Sequence, residues 1–182
     1  MTNVIQSCLD EHSQLLSALA GDAHISLRLV IDRYFQKILI VAAASYCEDL
    51  VKNIILEFAS LSSAKNDEIV NLIKNKAIER QYHTLFDWTT NSAVGINKFW
   101  ALFGDNRKKR IAEIVKNDQT LNVKAEAFIQ IGQLRNQLVH GNFAAMSIDL
   151  TIDEIGSKSE LALGYVDFIR VQLVPEQSTT GG

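Results

Sequence analysis

The sequence predicts an all-α protein, and three observations lead to this prediction. Neither glycine nor proline occurs in residues 22–94, and Pro175 is the only proline in the chain. Sheets and tight hairpins normally need those residues at their turns. Apolar residues also recur every three or four positions through residues 120–140, which is the spacing of one buried helix face. We therefore expect a helical bundle of about six to seven helices.

Three predicted helices occupy the N-terminal half of the chain. The first covers residues 4–19 and ends at Gly21, because a glycine commonly follows the last turn of a helix. The second runs from about residue 26 to residue 59, whole or broken, and its centre is apolar on every side, which is typical of a long buried helix. The third covers residues 67–80 and places four apolar side chains on one face: Ile69, Leu72, Ile73 and Ala77.

Two further helices surround a glycine in the middle of the chain. Residues 91–103 form a short, aromatic-rich helix that is closed by Gly104. Asp105 can then cap the charged helix that follows over residues 106–116.

The clearest amphipathic helix covers residues 120–140. We expect it to end with Gly141 in the left-handed conformation, as helices followed by glycine often do. Residues 146–152 then alternate apolar and polar side chains, a period of two that allows an extended segment. A last helix is predicted over residues 158–173.

Length and composition indicate one soluble globular domain. We assign residues 1–175 to it and expect residues 176–182 to be a disordered tail. The net charge of −3 gives no global sign of nucleic-acid affinity and argues against a histone-like, non-specific binder. The N-terminus lacks the features of a signal peptide, and the most apolar run is about eight residues, against the roughly 20 that a membrane span needs. We expect a cytoplasmic protein with no membrane contact.

The cysteines and histidines do not predict a metal site. Cys8 and Cys47 are far apart, and neither they nor the histidines show the spacing of metal ligands. We interpret both thiols as reduced and Cys47 as a buried structural thiol. No cofactor is expected, because no phosphate-binding glycine loop occurs in the chain.

The functional hypothesis rests on the end of the amphipathic helix. Arg135, Asn136 and His140 point at about 0°, 100° and 140° around the helix axis. Asn136 and His140 are therefore neighbours one turn apart, with Arg135 beside them. Gly132 falls at about 60°, directly under this polar face, where another helix or a substrate backbone could come close.

These side chains suit the cleavage of a phosphodiester without a metal ion. The negative end of the helix dipole favours a protonated His140, which can take a proton from a ribose 2′-OH or give one to a leaving 5′-oxygen. The planar fork of Arg135 matches phosphate oxygens. Asn136 can orient the imidazole or bind a phosphate oxygen. The structural alternative is a capping His140 and an ordinary surface arginine.

The motif resembles that of a known group of proteins. Residues 135–142, Arg-Asn-Gln-Leu-Val-His-Gly-Asn, resemble the Arg-Asn-x-x-x-His signature of the HEPN superfamily (higher eukaryotes and prokaryotes nucleotide-binding domains). Residues 44–53 and 99–104 are similar to the RiboL-PSP-HEPN group of abortive-infection and toxin systems. The likeness spans residues 24–173. It implies an all-α bundle, metal-independent RNA endonucleolysis and a symmetric dimer with two Arg/His motifs lining one cleft.

The resemblance also implies roles for individual residues. Arg135 and His140 would be catalytic, and Asn136 would be the polar residue after the arginine. Glu48 resembles an acidic position on an earlier core helix, where it could hold Arg135 or His140 in place. The alternative for Glu48 is a salt bridge to Lys52 on a solvent face. Some relatives carry a tyrosine two residues after the histidine, which a partner nucleotidyltransferase modifies. Asn142 stands here instead.

Two other groups of residues could contact RNA. Arg107, Lys108, Lys109 and Arg110 form the one dense basic cluster, which could bind phosphates or simply be the solvated face of a helix. Several aromatic residues could stack on bases, although their helical spacing is more typical of a core: Trp88, Phe99, Trp100 and Phe103.

The sequence thus favours an endoribonuclease that acts by 2′-OH attack and leaves 2′,3′-cyclic phosphate ends. It would be a toxin or antiviral effector, a homodimer with a composite active site, and a candidate for control by an antitoxin or defence-system partner. The alternative is a non-catalytic domain that binds nucleotide or RNA, or a regulatory subunit of such a complex. A purely structural helical adaptor is the third interpretation.

Overall fold

The computed structural model describes residues 4–78 and 81–174 of the chain. Within them all regular structure is helical, with eight α-helices and no strand, which confirms the predicted all-α class. The α-helices are α1 (Val4–Ala18), α2 (Ile25–Ser62), α3 (Asp67–Ile73), α4 (Tyr82–Leu85), α5 (Asn97–Ala101), α6 (Asp105–Asn117), α7 (Gln119–His140) and α8 (Ile152–Leu173). Two 3-10 turns and a π-helical turn complete the order: Asp22–His24, Ala93–Ile96 and Lys74–Ile78. The predicted tail, residues 176–182, lies outside the described residues.

Helices α2, α7 and α8 form the centre of the bundle and pack against one another. Helix α2 is one continuous helix of 38 residues, so the predicted second helix is unbroken. One face of the helix is buried from its middle onwards, where Leu39, Ala43 and Val51 are at most 1% exposed. Its centre is not enclosed on every side, however, because Ile38 remains 45% exposed. No helix among the described residues is long and apolar enough to cross a membrane.

The segment between α7 and α8 begins with a turn, in which the N–H groups of Ala145 and Met146 donate to the carbonyl oxygen of Asn142, and it is hydrogen-bonded to α2. Lys37 is fully buried, and its Nζ donates hydrogen bonds to the carbonyl oxygens of Phe143 and Ala144 at 2.6 and 3.3 Å. Gln36 Nε2 donates to the carbonyl oxygen of Leu150 at 2.9 Å. The predicted alternation is present, because the apolar members of the segment are half-buried against the core and their neighbours are exposed: Met146, Ile148 and Leu150.

Helix α7 ends differently from the expectation for Gly141. The φ and ψ of Gly141 are −96° and −170°, which is extended backbone rather than the left-handed cap. Its N–H still donates to the carbonyl oxygen of Gln137 at 2.9 Å. A Cβ atom at Gly141 would lie 2.6 Å from that oxygen, so glycine is needed here for space. The carbonyl groups that accept from Lys37 belong to Phe143 and Ala144, which follow Gly141 by only two and three residues.

Two other helix boundaries were wrong in the sequence analysis. Gly104, with φ of 95°, occupies the cap position before α6, and Asp105 is the first residue of the helix instead of its cap. Helix α3 ends at Ile73 and gives way to the π-helical turn, which breaks the 3.6-residue phase. Leu72 is 61% exposed, so the predicted apolar face is not buried. Residues 79–80 and the side chain of Ala77 lie outside the described part.

Helix α8 begins at Ile152, one and a half turns before the predicted start, because a capping box begins it. Thr151 Oγ1 accepts a hydrogen bond from the N–H of Glu154 at 3.2 Å. The Glu154 carboxylate accepts one from the N–H of Thr151 at 2.7 Å. These two bonds satisfy N–H groups that have no partner within the helix.

Replacing Thr151 by alanine should lower the free energy of unfolding by about 1 kcal/mol, because the first turn of α8 loses its side-chain cap. Urea unfolding followed by circular dichroism measures this change. Thr120→Ala is the matched control, since Thr120 is an exposed threonine within the first turn of α7. Equal losses in the two variants would show that the capping box does not stabilise α8.

Candidate functional site

Arg135, Asn136 and His140 line one cavity of about 350 Å³ between α2, α7 and the segment that begins at α4. Arg135 and Asn136 are half-buried and His140 is exposed. The guanidinium and the imidazole thus lie on the same wall of a cavity that reaches solvent.

Asn136 contacts the arginine and not the histidine. Arg135 Nη1 donates a hydrogen bond to Asn136 Oδ1 at 3.1 Å. Within the described residues no hydrogen bond holds the His140 ring. Asn136 therefore orients the guanidinium and keeps its amide N–H groups as donors for an anion, while the imidazole of His140 is free to meet a substrate.

Of the two interpretations that the sequence left open for Glu48, the structure shows the salt bridge to Lys52. The Glu48 carboxylate pairs with Lys52 Nζ at 2.5 Å, and both side chains are about three-quarters buried. Glu48 nevertheless lines the same cavity as Arg135 and His140. No hydrogen bond joins it to either of them in the described part of the chain. The residue that holds the Glu48 carboxylate directly is Lys52.

Aromatic side chains form part of the cavity wall, and only one of them, Trp88, was singled out in the sequence. Tyr82 and Trp88 both line the cavity and are half-buried. The Trp88 ring lies directly on the backbone of α7, where a Cβ atom at Gly132 would come within 2.1 Å of Cζ3 of the ring. Trp88 Nε1 donates to the carbonyl oxygen of His83 at 3.0 Å, which fixes the orientation of the ring. The side chain that comes close at Gly132 is therefore an indole from a distant segment.

The four aromatic residues singled out in the sequence separate into two groups. Phe99 and Trp100 are fully buried, and Trp100 Nε1 donates to Tyr165 Oη at 2.9 Å. Phe103 is half-buried and packs edge-on against Phe99, with ring centroids 5.3 Å apart. These three belong to the core, and Trp88 alone of the four lines the cavity.

The titratable groups behind the arginine stay neutral at ordinary pH. Burial raises the pKa of Cys47 to about 12, and the thiol is 2% exposed, which agrees with a buried structural cysteine. Burial also raises the pKa of Tyr82 well above its usual value, and the negative charge of Glu48 adds to this while Arg135 opposes it. Both groups are therefore protonated near neutrality.

The basic cluster lies outside the cavity. Arg107 donates to the main-chain carbonyl of Gln172 near the end of α8, and its guanidinium lies 5.8 Å from the centre of the Trp100 ring. Arg110 Nη2 donates to Gln172 Oε1 at 3.2 Å. These two arginines tie α6 to α8. RNA binding by the cluster stays a prediction, and Lys108 and Lys109 are the members with no such tie.

No group of three or more histidine, cysteine, aspartate or glutamate side chains in the described residues could hold a metal ion. His12, one of the four histidines, pairs through Nε2 with Asp32 Oδ1 at 2.7 Å and packs α1 on α2. Cys8 and Cys47 are both free thiols.

Gly132→Ala should destabilise the protein by roughly 1–3 kcal/mol, because the new methyl group must displace the Trp88 ring. Gly164→Ala is the matched control within another helix, since its Cβ atom would meet the flexible end of Lys124 at 3.0–3.3 Å. The control should be neutral or stabilising by up to about 1 kcal/mol, the usual gain of alanine over glycine in a helix. Urea unfolding measures both variants. A neutral Gly132→Ala would contradict the close contact with Trp88.

Comparison with known proteins gives one family. The family model described as RiboL-PSP-HEPN matches residues 4–174. No curated protein and no solved structure matches the chain significantly. The matched region includes every helix described above and all residues of the cavity, and the chain belongs to the RiboL-PSP-HEPN family.

Proposed function

We propose that this protein is a metal-independent endoribonuclease. The ribose 2′-OH would attack the adjacent phosphate and leave a 2′,3′-cyclic phosphate and a 5′-hydroxyl. The observation that carries the proposal is the placement of Arg135 and His140 on one wall of a cavity open to solvent. Membership of a HEPN family fits this class, because such domains are associated with ribonuclease or RNA-binding roles in defence and toxin systems.

Three polar residues of the cavity, Arg135, Asn136 and His140, have a place in this reaction. The exposed imidazole of His140 takes the proton from the 2′-OH or supplies one to the leaving 5′-oxygen. Arg135, held by Asn136, neutralises the charge that develops on the phosphorane. The amide N–H groups of Asn136 donate to a phosphate oxygen. The attacking oxygen belongs to the substrate itself, so the reaction needs no metal-bound water.

The reaction also supports the proposed homodimer. Transesterification needs a base at the 2′-OH and an acid at the 5′-oxygen, and two copies of the motif in one cleft would provide an imidazole for each. Two apolar side chains beside the motif are exposed, Val139 at 52% and Phe143 at 39%. Such side chains beside a catalytic residue fit a site that a second copy covers.

A row of exposed apolar side chains on α2 extends this surface. We call it the α2 stripe, and it consists of Leu27, Val30, Tyr34 and Ile38, which are 39–47% exposed and spaced by three or four residues. Lys37 joins the stripe to Phe143, because its Nζ lies 5.6 Å from the Tyr34 ring and 5.2 Å from the Phe143 ring. The stripe and the end of α7 therefore form one continuous face.

In the cell the enzyme would act as a toxin or antiviral effector in the cytoplasm, under the control of an antitoxin or another defence-system protein. The alternative is a non-catalytic domain that uses the same cavity to bind RNA or nucleotide, or to regulate a separate enzyme. Binding of RNA without cleavage would favour this alternative.

Cleavage of a quenched fluorescent RNA in EDTA tests the proposal. His140→Ala and Arg135→Ala should each reduce the rate by about 100-fold or more, which is typical for loss of a general acid–base or of a charge-stabilising group. His24→Ala and Arg170→Ala are the matched controls, since neither residue lines the cavity. Wild-type cleavage that needs a divalent ion, or that survives both site substitutions, would overturn the proposal.

The dimer has its own test, by light scattering of the purified protein. The wild type should have about twice the chain mass of 20.3 kDa. Ile38→Glu should shift the protein to the monomer and reduce cleavage with it, because a charge in the α2 stripe opposes its burial. Val171→Glu is the control, at a residue of α8 that is 69% exposed and outside the stripe. An active wild-type monomer would disprove the composite site.

A further inference from the structure

We propose that the cavity beside Arg135 is a nucleobase subsite, in which Trp88 stacks on one unpaired base next to the scissile phosphate. This inference rests on the proposed ribonuclease function and names its substrate class. The substrate would be single-stranded RNA, because a base can enter the cavity only when it is unstacked and unpaired. Cleavage would therefore depend on the base at one position beside the broken bond.

Trp88 is built to act as a fixed stacking surface. One part of its ring rests on the α7 backbone at Gly132, and its Nε1 is tied to the carbonyl oxygen of His83. The ring is still half-buried rather than fully buried, and it lines the cavity. An aromatic side chain that is already immobile loses little entropy when a base stacks on it.

Two buried aromatic rings pack against Trp88. Phe86 and Phe128 lie with their ring centroids 5.1 and 5.7 Å from that of Trp88. Both are buried, at 1% and 2% exposure. Tyr82 adds a second aromatic side chain to the wall of the cavity, with its centroid 6.2 Å from Trp88. Stacking on such surfaces accepts any base, and the polar groups of the wall then select among them.

The shape of the surface provides room for one nucleotide on each side of the motif. A second depression of about 500 Å³ is also lined by Asn136 and His140, and Trp88 lines both hollows. The second depression has Lys98 and no aromatic residue of its own beyond Phe86 and the shared Trp88. A phosphate at Asn136 and His140 would thus have an aromatic cavity on one side and, on the other, a polar depression that contains both Lys98 and Asp87.

The volume and lining of the first cavity match a base better than a phosphate chain. Its 350 Å³ falls within the roughly 300–1,000 Å³ of small-molecule sites. Apolar residues form its floor, including Ile131 and Phe128. The one carboxylate among its lining residues, Glu48, would repel additional phosphates and can accept a hydrogen bond from a base N–H group.

Tryptophan fluorescence tests the subsite without requiring cleavage. The chain has two tryptophans, and Trp100 is fully buried, so quenching by a bound base reports Trp88. Nucleoside 3′- and 5′-monophosphates should quench the emission saturably, and ribose 5-phosphate should not. Trp88→Phe should abolish the signal and keep most of the affinity, measured by calorimetry.

A second pair of variants separates stacking from simple filling of space. Trp88→Leu keeps an apolar side chain and removes the aromatic face, so nucleotide affinity and kcat/KM should fall roughly tenfold or more, whereas Trp88→Phe should change them much less. Circular dichroism melts confirm that both variants are folded. Sequencing of cleaved random RNA should show a base preference at one position in the wild type and a weaker one in Trp88→Leu.

The outcomes distinguish this inference from the proposed function. Equal binding of ribose 5-phosphate and nucleotides, or an unchanged affinity and preference in Trp88→Leu, overturns the subsite even if RNA is cleaved in EDTA. Selective, Trp88-dependent nucleotide binding without any RNA cleavage supports the subsite and overturns the ribonuclease.

Discussion

The indole of Trp88 lies on the backbone of α7 at Gly132, and this contact gives the candidate site its shape. Gly132 is one turn before Asn136 on the same helix, so the ring comes to rest beside the polar face and not on top of it. A side chain at Gly132 would push the ring away and leave the motif on an open helix surface. The cavity wall therefore depends on the absence of one Cβ atom.

A second constraint fixes where α7 ends. Lys37 is fully buried, and the partners of its ammonium group are two main-chain carbonyls, those of Phe143 and Ala144, together with two aromatic faces. A buried charge is tolerated when its donors are satisfied. These bonds hold the segment just after His140 against α2, so the histidine stays at the edge of the cavity as the chain turns away.

The sequence predicted the local features of this site and missed the long-range ones. The polar face of α7 follows from helical periodicity alone, which places Arg135, Asn136 and His140 together. The position of Trp88 does not, because its contact with Gly132 joins residues far apart in the chain through packing that no local pattern encodes. The pairing of Glu48 with Lys52 was one of two alternatives, and only the structure shows that Glu48 also lines the cavity.

The boundary errors have similar causes. Gly141 was expected to be left-handed, because glycine often is at a helix end. Its backbone is extended instead, and the residues that follow it are hydrogen-bonded to Lys37 of α2. The start of α8 was placed too late, although the Thr151 and Glu154 spacing was readable as a capping box. The apolar face predicted for residues 67–80 is interrupted because a π-helical turn replaces the α-helix after Ile73. The helix propensities of single residues do not predict such a turn.

Because α2 is long, it connects the proposed dimer surface with the wall of the cavity. Ile38 of the α2 stripe and Glu48 of the cavity wall stand on one unbroken rod, about 15 Å apart at 1.5 Å per residue. When a continuous helix tilts as a rigid body, the residues at both positions move together. Any displacement that reorients the α2 stripe would therefore also move Glu48, so in the proposed mechanism dimer assembly would be coupled to access to the cavity.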